Sequence, residues 1–117
     1  MLFDFDKFSS ITASVYADSP YSLAEVLEVF RYYFEQYEAY TGAPHPPIRV
    51  VQIERIIREM PYIDETDKAH STLDIEPDCY EDMIDKHFRT RYRSCDYNIN
   101  HFFSGRIREL RYYETCY

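Results

Sequence analysis

The segment from Ser22 to Gly42 carries the longest unbroken structural signal in the chain, and the rest of the fold has to accommodate it. Its large apolar and aromatic residues recur every three or four positions, which places them on one side of an α-helix. They are Leu23, Val26, Leu27, Phe30, Tyr33, Phe34 and Tyr37. Ser22 and Glu25 fit a capping box at the start, and Gly42 suits a left-handed cap at the end. The pattern predicts an amphipathic helix of about five turns that buries an aromatic face.

Two more helices are predicted in the middle of the chain. From about residue 47 to 60 an isoleucine-rich stripe recurs at helical spacing, and Pro61 ends the segment. A third helix is expected from Glu76 to about Tyr92, because acidic residues fill its first turn and arginines its last, the order that the helix dipole favours. Residues 64–75 lie between these helices and are polar and aperiodic, which predicts an exposed loop.

The last apolar pattern predicts a helix that begins at Asp96 or Asn98. Its inner face is expected to contain Ile99, Phe102, Phe103, Ile107, Leu110 and Tyr113. Gly105 interrupts the pattern, and a glycine inside a helix costs about 1 kcal/mol relative to alanine. The position therefore predicts a kink, a close helix crossing or a split into two short helices.

Residues 1–18 carry a mixed signal. Phe3 and Phe5 alternate with aspartates, whereas Phe8 and the apolar residues after it are closer to helical spacing. Several serines and threonines in this stretch compete for backbone hydrogen bonds and weaken a helix. We expect a short extended arm that leads into a helix or turn and docks on the core. The complete pattern predicts an all-α fold, a compact single-domain bundle of four to five helices with an N-terminal arm.

Composition narrows the functional class. No apolar run approaches the roughly 18 residues needed to span a membrane, and the first residues lack the layout of a signal peptide, so we expect a cytoplasmic protein that does not bind membranes. The three cysteines and four histidines include no chelating pair at one-turn spacing, and two isolated glycines cannot form a phosphate-binding loop. We therefore expect reduced thiols, no metal and no cofactor.

Nucleophilic catalysis is not indicated by the sequence. Cys95, Asp96 and His101 could supply a nucleophile, an orienting carboxylate and a base. Similar trios occur in most chains of this size, and no glycine-rich elbow or oxyanion loop accompanies this one. The sequence therefore favours a protein that is not an enzyme.

The charges are distributed unevenly along this acidic chain. The formal net charge is −8, but residues 1–85 contain 6 Lys or Arg and 18 Asp or Glu, a net −12, whereas residues 86–117 contain 7 and 3, a net +4. We favour the interpretation that basic helices of the second half pack beside acidic helices of the first. The alternative is that residues 86–117, which we call the basic third, form a local anion-binding surface.

This basic third interleaves arginines with aromatic and amide side chains, which are the types that contact phosphates and stack on bases. The candidate residues for binding a nucleic acid or a partner are Arg89, Arg93, Tyr97, Asn98, Arg106 and Arg111. Ion pairing of these arginines with the acidic helix at residues 22–42 would account for the same pattern without a ligand. The sequence alone leaves both explanations open.

Several aromatic and aliphatic positions occur in the order typical of a known family. They are Tyr37, Tyr40, Thr41 and Gly42, then Tyr80 and Ile84, then Phe103 and Ile107. Over residues 22–113 the chain resembles the C-terminal helical domain of DnaD-like primosomal and phage replication proteins. The resemblance implies a small helical bundle that contributes to DNA or partner-protein binding, with Phe103 and Ile107 as its motif. The chain also resembles short proteins of bacterial mobile elements, which implies no activity.

The residue content favours an interaction module. The chain has 13 tyrosines and no tryptophan, and tyrosine supplies a large contact area with few rotatable bonds at protein interfaces. Our leading hypothesis is a non-enzymatic helical protein–protein interaction module, with a homodimer as one form of association. The alternative is a replication-linked nucleic-acid-binding protein that uses the C-terminal arginines.

Overall fold

The computed structural model describes residues 4–63, 74–92, 95–104 and 106–116, and this part of the chain contains six helices and no strand. The helices are α1 (Phe5–Val15), α2 (Leu23–Thr41), α3 (Val50–Glu59), α4 (Cys79–Arg89), α5 (Ile99–Phe102) and α6 (Ile107–Thr115). The prediction of an all-α bundle is confirmed. None of these helices combines the length and apolar character that crossing a bilayer requires.

Helix α2 begins and ends at the predicted caps. The Ser22 hydroxyl accepts a hydrogen bond from the Glu25 amide at 3.2 Å, and the Glu25 carboxylate accepts one from the Ser22 amide at 2.8 Å. At the other end Gly42 has φ +77°, and its amide donates to the Glu38 carbonyl at 2.8 Å. Glycine adopts this left-handed conformation without a steric penalty, which explains why the helix ends there.

The aromatic face of α2 is the centre of the core. Phe30 is fully buried and contacts Phe8 of α1 edge-on, with ring centroids 4.9 Å apart. Tyr33 is also fully buried, and its ring contacts those of Phe88 at 5.1 Å and Phe102 at 5.6 Å. Helices α1, α4 and α5 therefore meet on one side of α2.

The N-terminal segment differs from the predicted extended arm, because residues 5–15 form helix α1. The Asp4 carboxylate caps this helix by accepting a hydrogen bond from the Lys7 amide at 3.0 Å. The hydroxyl groups that weaken a helix in isolation donate instead to carbonyls one turn earlier, as Ser9 does to Phe5 at 2.7 Å and Thr12 to Phe8 at 2.9 Å. Contact with α2 and α3 then stabilises the helix, and the predicted docking on the core occurs through α1.

The C-terminal pattern is split into two helices around Gly105, which is one of the three predicted outcomes; Gly105 itself lies outside the described residues. The predicted inner face is correct for α5 but not for α6. Leu110 and Tyr113 are 43% and 46% exposed, whereas Arg108 and Arg111 are only 7% and 6% exposed. The interruption between the helices resets the helical phase, so α6 turns its arginines toward α4.

The predicted loop at residues 64–75 is only partly described. Residues 64–73 lie outside the described residues, and Ile75 differs from the prediction because it is fully buried. Its carbonyl accepts a 2.5 Å hydrogen bond from the hydroxyl of buried Tyr21. Helix α3 is shorter than the predicted span of 47–60, and Val50 and Val51 at its start are exposed.

Replacing Phe30 with alanine tests this core. Phe30→Ala should lower the free energy of unfolding by about 3–5 kcal/mol, because it leaves a cavity between α1 and α2. Val51→Ala is the control, since Val51 is 61% exposed, and it should cost less than about 1 kcal/mol. Urea denaturation of both variants measures the difference, and a cost below about 1 kcal/mol for Phe30→Ala would place this face outside the core.

Candidate interaction groove

Arg108 of α6 is an internal structural residue. Its guanidinium donates to the carbonyl of Tyr62 and, at 3.4 Å, to the carbonyl of Ile63. The same group lies over the Phe103 ring, 5.6 Å from the ring centroid. These contacts satisfy a charge that would otherwise be expensive to bury, and they attach α6 to the segment that follows α3.

Arg111 is also internal, one turn further along α6. It donates to the Thr90 hydroxyl at 2.8 Å, forms an ion pair with Glu114 at 2.9 Å and lies 5.9 Å from the Tyr92 ring centroid. Thr90 in turn accepts a 2.5 Å hydrogen bond at its carbonyl from the Tyr97 hydroxyl. Arg111 and Tyr97, two of the predicted binding residues, therefore converge on Thr90 inside the protein.

The other predicted binding residues do not gather around this point. Arg89 at the end of α4 and Arg106 before α6 are exposed, and Arg106 lies 3.7 Å from the Glu109 carboxylate. Asn98 caps α5, because its side chain accepts a hydrogen bond from the Asn100 amide at 2.9 Å. Arg93 lies outside the described residues. Nucleic-acid binding by this set stays a prediction.

The two positions of the family-like motif are held in or near the core. Phe103 is buried and stacks with Tyr80, with 6.0 Å between the ring centroids. Ile107, the first residue of α6, is half-buried. Both positions support the packing of α5 and α6 on α4.

The two halves of the chain do not neutralise each other through ion pairs within the described residues. Every ion pair found there joins residues three or four positions apart on the same helix or at its edge. The acidic partners are Glu28 and Glu35 for Arg31, Glu59 for Arg55, Glu109 for Arg106 and Glu114 for Arg111. Most carboxylates of residues 1–85 that the structure describes are exposed.

An open groove of about 490 Å³ lies between the first half of α2 and the start of α4. Its floor is formed by two aliphatic side chains, a proline and two tyrosines, and its rim carries five carboxylates. The floor residues are Val29, Tyr32, Pro77, Tyr80 and Ile84, and the rim residues are Glu25, Glu28, Glu76, Asp78 and Glu81. No sequence motif indicates this groove, because its two sides come from segments about 50 residues apart.

The rim carboxylates differ in whether they form hydrogen bonds or ion pairs within the protein. Glu25 caps α2, and Glu28 forms an ion pair and hydrogen bonds with Arg31. Glu76, Asp78 and Glu81 are exposed and have no ion pair among the described residues. Tyr32 at the floor donates a 2.6 Å hydrogen bond to Asp85, which fixes its ring, and burial together with this carboxylate raises the pKa of Tyr32. The groove thus combines a rigid apolar floor with a negative rim.

The histidine at position 87 is fully buried among rings, and neither of its ring nitrogens has a hydrogen-bond partner among the described residues. Tyr33, Tyr92 and Phe102 surround it, with centroid distances of 5.0–6.1 Å. Burial, aided by nearby His101 and Arg111, lowers the pKa of His87 to about 3. The folded protein therefore holds this imidazole neutral.

The described residues do not assemble the nucleophilic trio considered from the sequence. Cys95 Sγ lies 3.3 Å from His101 Nδ1, but the Asp96 carboxylate accepts a hydrogen bond from the Asn98 amide at 3.0 Å. Burial raises the pKa of the Cys95 thiol, which opposes formation of the reactive thiolate. Within the described ranges no three His, Cys, Asp or Glu side chains cluster as metal ligands would.

Comparison of the chain with protein-family models, with curated proteins and with solved structures found no match.

Arg111→Ala tests the internal role of this arginine. The variant should lower the free energy of unfolding by about 1.5–3 kcal/mol, because it removes charged hydrogen bonds and the buried side-chain stem. Arg106→Ala is the matched control on an exposed position of the same region, and it should change the free energy by less than about 0.5 kcal/mol. Equal, small effects in thermal or urea denaturation would contradict the internal role.

The buried histidine predicts loss of stability in acid. Below about pH 6.5 the unfolded chain binds a proton at His87, whereas the folded protein binds one there only below about pH 3. Between these two values the free energy of unfolding should therefore fall by about 1.4 kcal/mol for each pH unit that the pH is lowered. When the pH is lowered from 7 to 5, the free energy of unfolding of His87→Leu should therefore fall by about 2 kcal/mol less than that of the wild type. His101→Gln is the control and should keep most of the wild-type slope. Identical slopes for His87→Leu and wild type would contradict the prediction.

Proposed function

We propose that the chain is a non-enzymatic helical module that binds a basic, amphipathic segment of a partner protein in the groove between α2 and α4. The observation that carries the proposal is the placement of five carboxylates around an apolar floor in one groove of about 490 Å³. A volume of this size accommodates a few side chains of a docked segment.

The charge of the groove favours a cationic occupant. Glu76, Asp78 and Glu81 lie at the start of α4 without ion-pair partners among the described residues. An uncompensated negative rim attracts Lys and Arg side chains and increases their rate of encounter.

The floor of the groove favours a segment that is also apolar. Half-buried Tyr32 and Pro77 supply its accessible apolar surface, whereas Val29, Tyr80 and Ile84 at its base are almost fully buried. Tyrosine is enriched where protein interfaces carry most of their binding energy, and an amphipathic helix places apolar anchors at three- and four-residue spacing with basic residues beside them. The stems of Lys and Arg can cover the apolar floor while their charges reach the rim.

Self-association is a special case of the same proposal, because exposed Arg89 and Arg91 could supply the basic segment from a second copy. We place this activity in the cytoplasm, because three cysteines without a Cys-x-x-Cys spacing are not the pattern of a secreted disulfide framework. Nucleic-acid binding by exposed Arg89 and Arg106 is the weaker alternative, because Arg111 is not at the surface to join them.

Fluorescence anisotropy with a labelled peptide of about 16 residues tests the proposal, the peptide having leucines at helical spacing and arginines beside them. Micromolar binding is expected at low salt. Glu76→Lys combined with Glu81→Lys should weaken it at least about tenfold, since two attractions become repulsions. Asp6→Lys combined with Asp18→Lys is the matched control, because both aspartates are exposed, lie outside the groove and change the net charge equally.

Three results would contradict the proposal. The peptide could fail to bind, or both double variants could weaken binding equally, which would show attraction to net charge rather than to the groove. A labelled single-stranded oligonucleotide that binds in place of the peptide would favour the nucleic-acid alternative. Sedimentation of the unlabelled protein shows whether the occupant is a second copy.

A further inference from the structure

Two of the three cysteines lie next to each other although they are far apart in sequence. Cys79 is the first residue of α4, and Cys116 directly follows α6. The Cys116 thiol donates a hydrogen bond to the Cys79 carbonyl, with 3.5 Å between sulfur and oxygen. Both side chains are half-buried and pack against the core. The contact brings the sulfur of one cysteine to the backbone of the other.

Neighbouring groups hold this pair in place. Cys116 is fixed by its amide, which donates to the Tyr112 carbonyl at 2.8 Å, and the Thr115 hydroxyl lies 3.4 Å from its sulfur. Burial raises the pKa of Tyr112, and the nearby thiols of Cys79 and Cys116 add to the rise. The packing of α6 against α4 therefore aligns the two thiols before any reaction occurs.

We infer that Cys79 and Cys116 form an oxidation site that closes into an intramolecular disulfide when the protein meets a low-molecular-weight disulfide. The third cysteine is held elsewhere, because Cys95 Sγ accepts a hydrogen bond from the Tyr97 amide at 3.2 Å and contacts His101. A disulfide requires the Cα atoms to lie within about 7 Å, and the 3.5 Å contact of the Cys116 sulfur with the Cys79 carbonyl shows that the two residues are neighbours in the fold.

The reaction passes through a mixed disulfide between one protein thiol and the reagent. Burial raises the pKa of the Cys79 thiol, and the neighbouring Cys116 side chain adds to the rise. One thiol of the pair loses its proton to solvent, its sulfur bonds to one sulfur of the reagent, and the first thiolate leaves and is protonated. The sulfur of the other cysteine, also deprotonated, then displaces the second thiolate and completes the disulfide.

The reaction is balanced because the two protein thiols are oxidised to one disulfide while the reagent is reduced to two thiols. The new bond connects the start of α4 to the end of α6 and restricts the unfolded chain. It also holds α6 in the orientation that directs Arg108 and Arg111 inward. The cysteine pair is separate from the proposed groove, since neither cysteine lines it.

Treatment of the full chain with oxidised glutathione tests the site. Thiol titration under denaturing conditions should fall from three thiols to one, and the protein mass should fall by about 2 Da without bound glutathione. Peptide mapping should identify the Cys79–Cys116 bond, and the Tm should rise by about 5–15 °C and return on reduction. Cys95→Ala should retain these changes, whereas Cys116→Ser should lose the rise in Tm.

Several outcomes would overturn the inference. A stable glutathione adduct on Cys116 would show that Cys79 cannot reach it. A bond that includes Cys95, or covalent dimers in place of the intramolecular bond, would show a different pairing. A rise in Tm that persists in Cys116→Ser would also contradict it. Because the mass and mapping measurements use the wild-type chain, the test holds even where a variant folds poorly.

Discussion

Packing against the aromatic face of α2 determines how the described helices are arranged. Phe30 and Tyr33 are fully buried on that face, where they contact Phe8 of α1, Phe88 of α4 and Phe102 of α5. Helix α3 packs on α1, and helix α6 packs on α4. These two helices are therefore attached to α2 mainly through α1 and α4. The same central helix contributes Val29 and Tyr32 to the groove, and the core and the candidate site thus share one element.

Helices α1, α2 and α6 show where local sequence signals are sufficient to predict a helix and its orientation and where they are not. Helix α2 could be predicted with its caps, because Ser22, Glu25 and Gly42 act within one turn of their own positions. Helix α1 could not be predicted with the same clarity, because its stability depends on contacts with distant helices. The orientation of α6 depends on carbonyls that Tyr62 and Ile63 supply from far along the chain, and helical periodicity contains no information about them.

The distinction between local sequence signals and contacts between distant residues also applies to the prediction of function. The arginines of the basic third suggested a binding surface from the sequence, yet Arg108 and Arg111 are buried and stabilise the fold. The groove combines carboxylates from α2 and from the start of α4, about 50 residues apart, and each group alone resembles an ordinary solvated helix face. A sequence signal does exist in Glu76, Asp78 and Glu81 around Pro77, but only the packing of α4 on α2 gives it an apolar floor.

We propose that the acidic groove is the surface that binds a partner, whereas Arg108 and Arg111 of the basic third are internal. Amide chemical-shift mapping with the basic amphipathic peptide tests it most directly. The largest shifts are expected at Val29, Tyr32, Glu76 and residues 78–81, whereas the amides of Arg89 and Arg106 should change little. Shifts centred on Arg89 and Arg106, produced by an oligonucleotide and absent with the peptide, would show instead that the basic third is the binding surface.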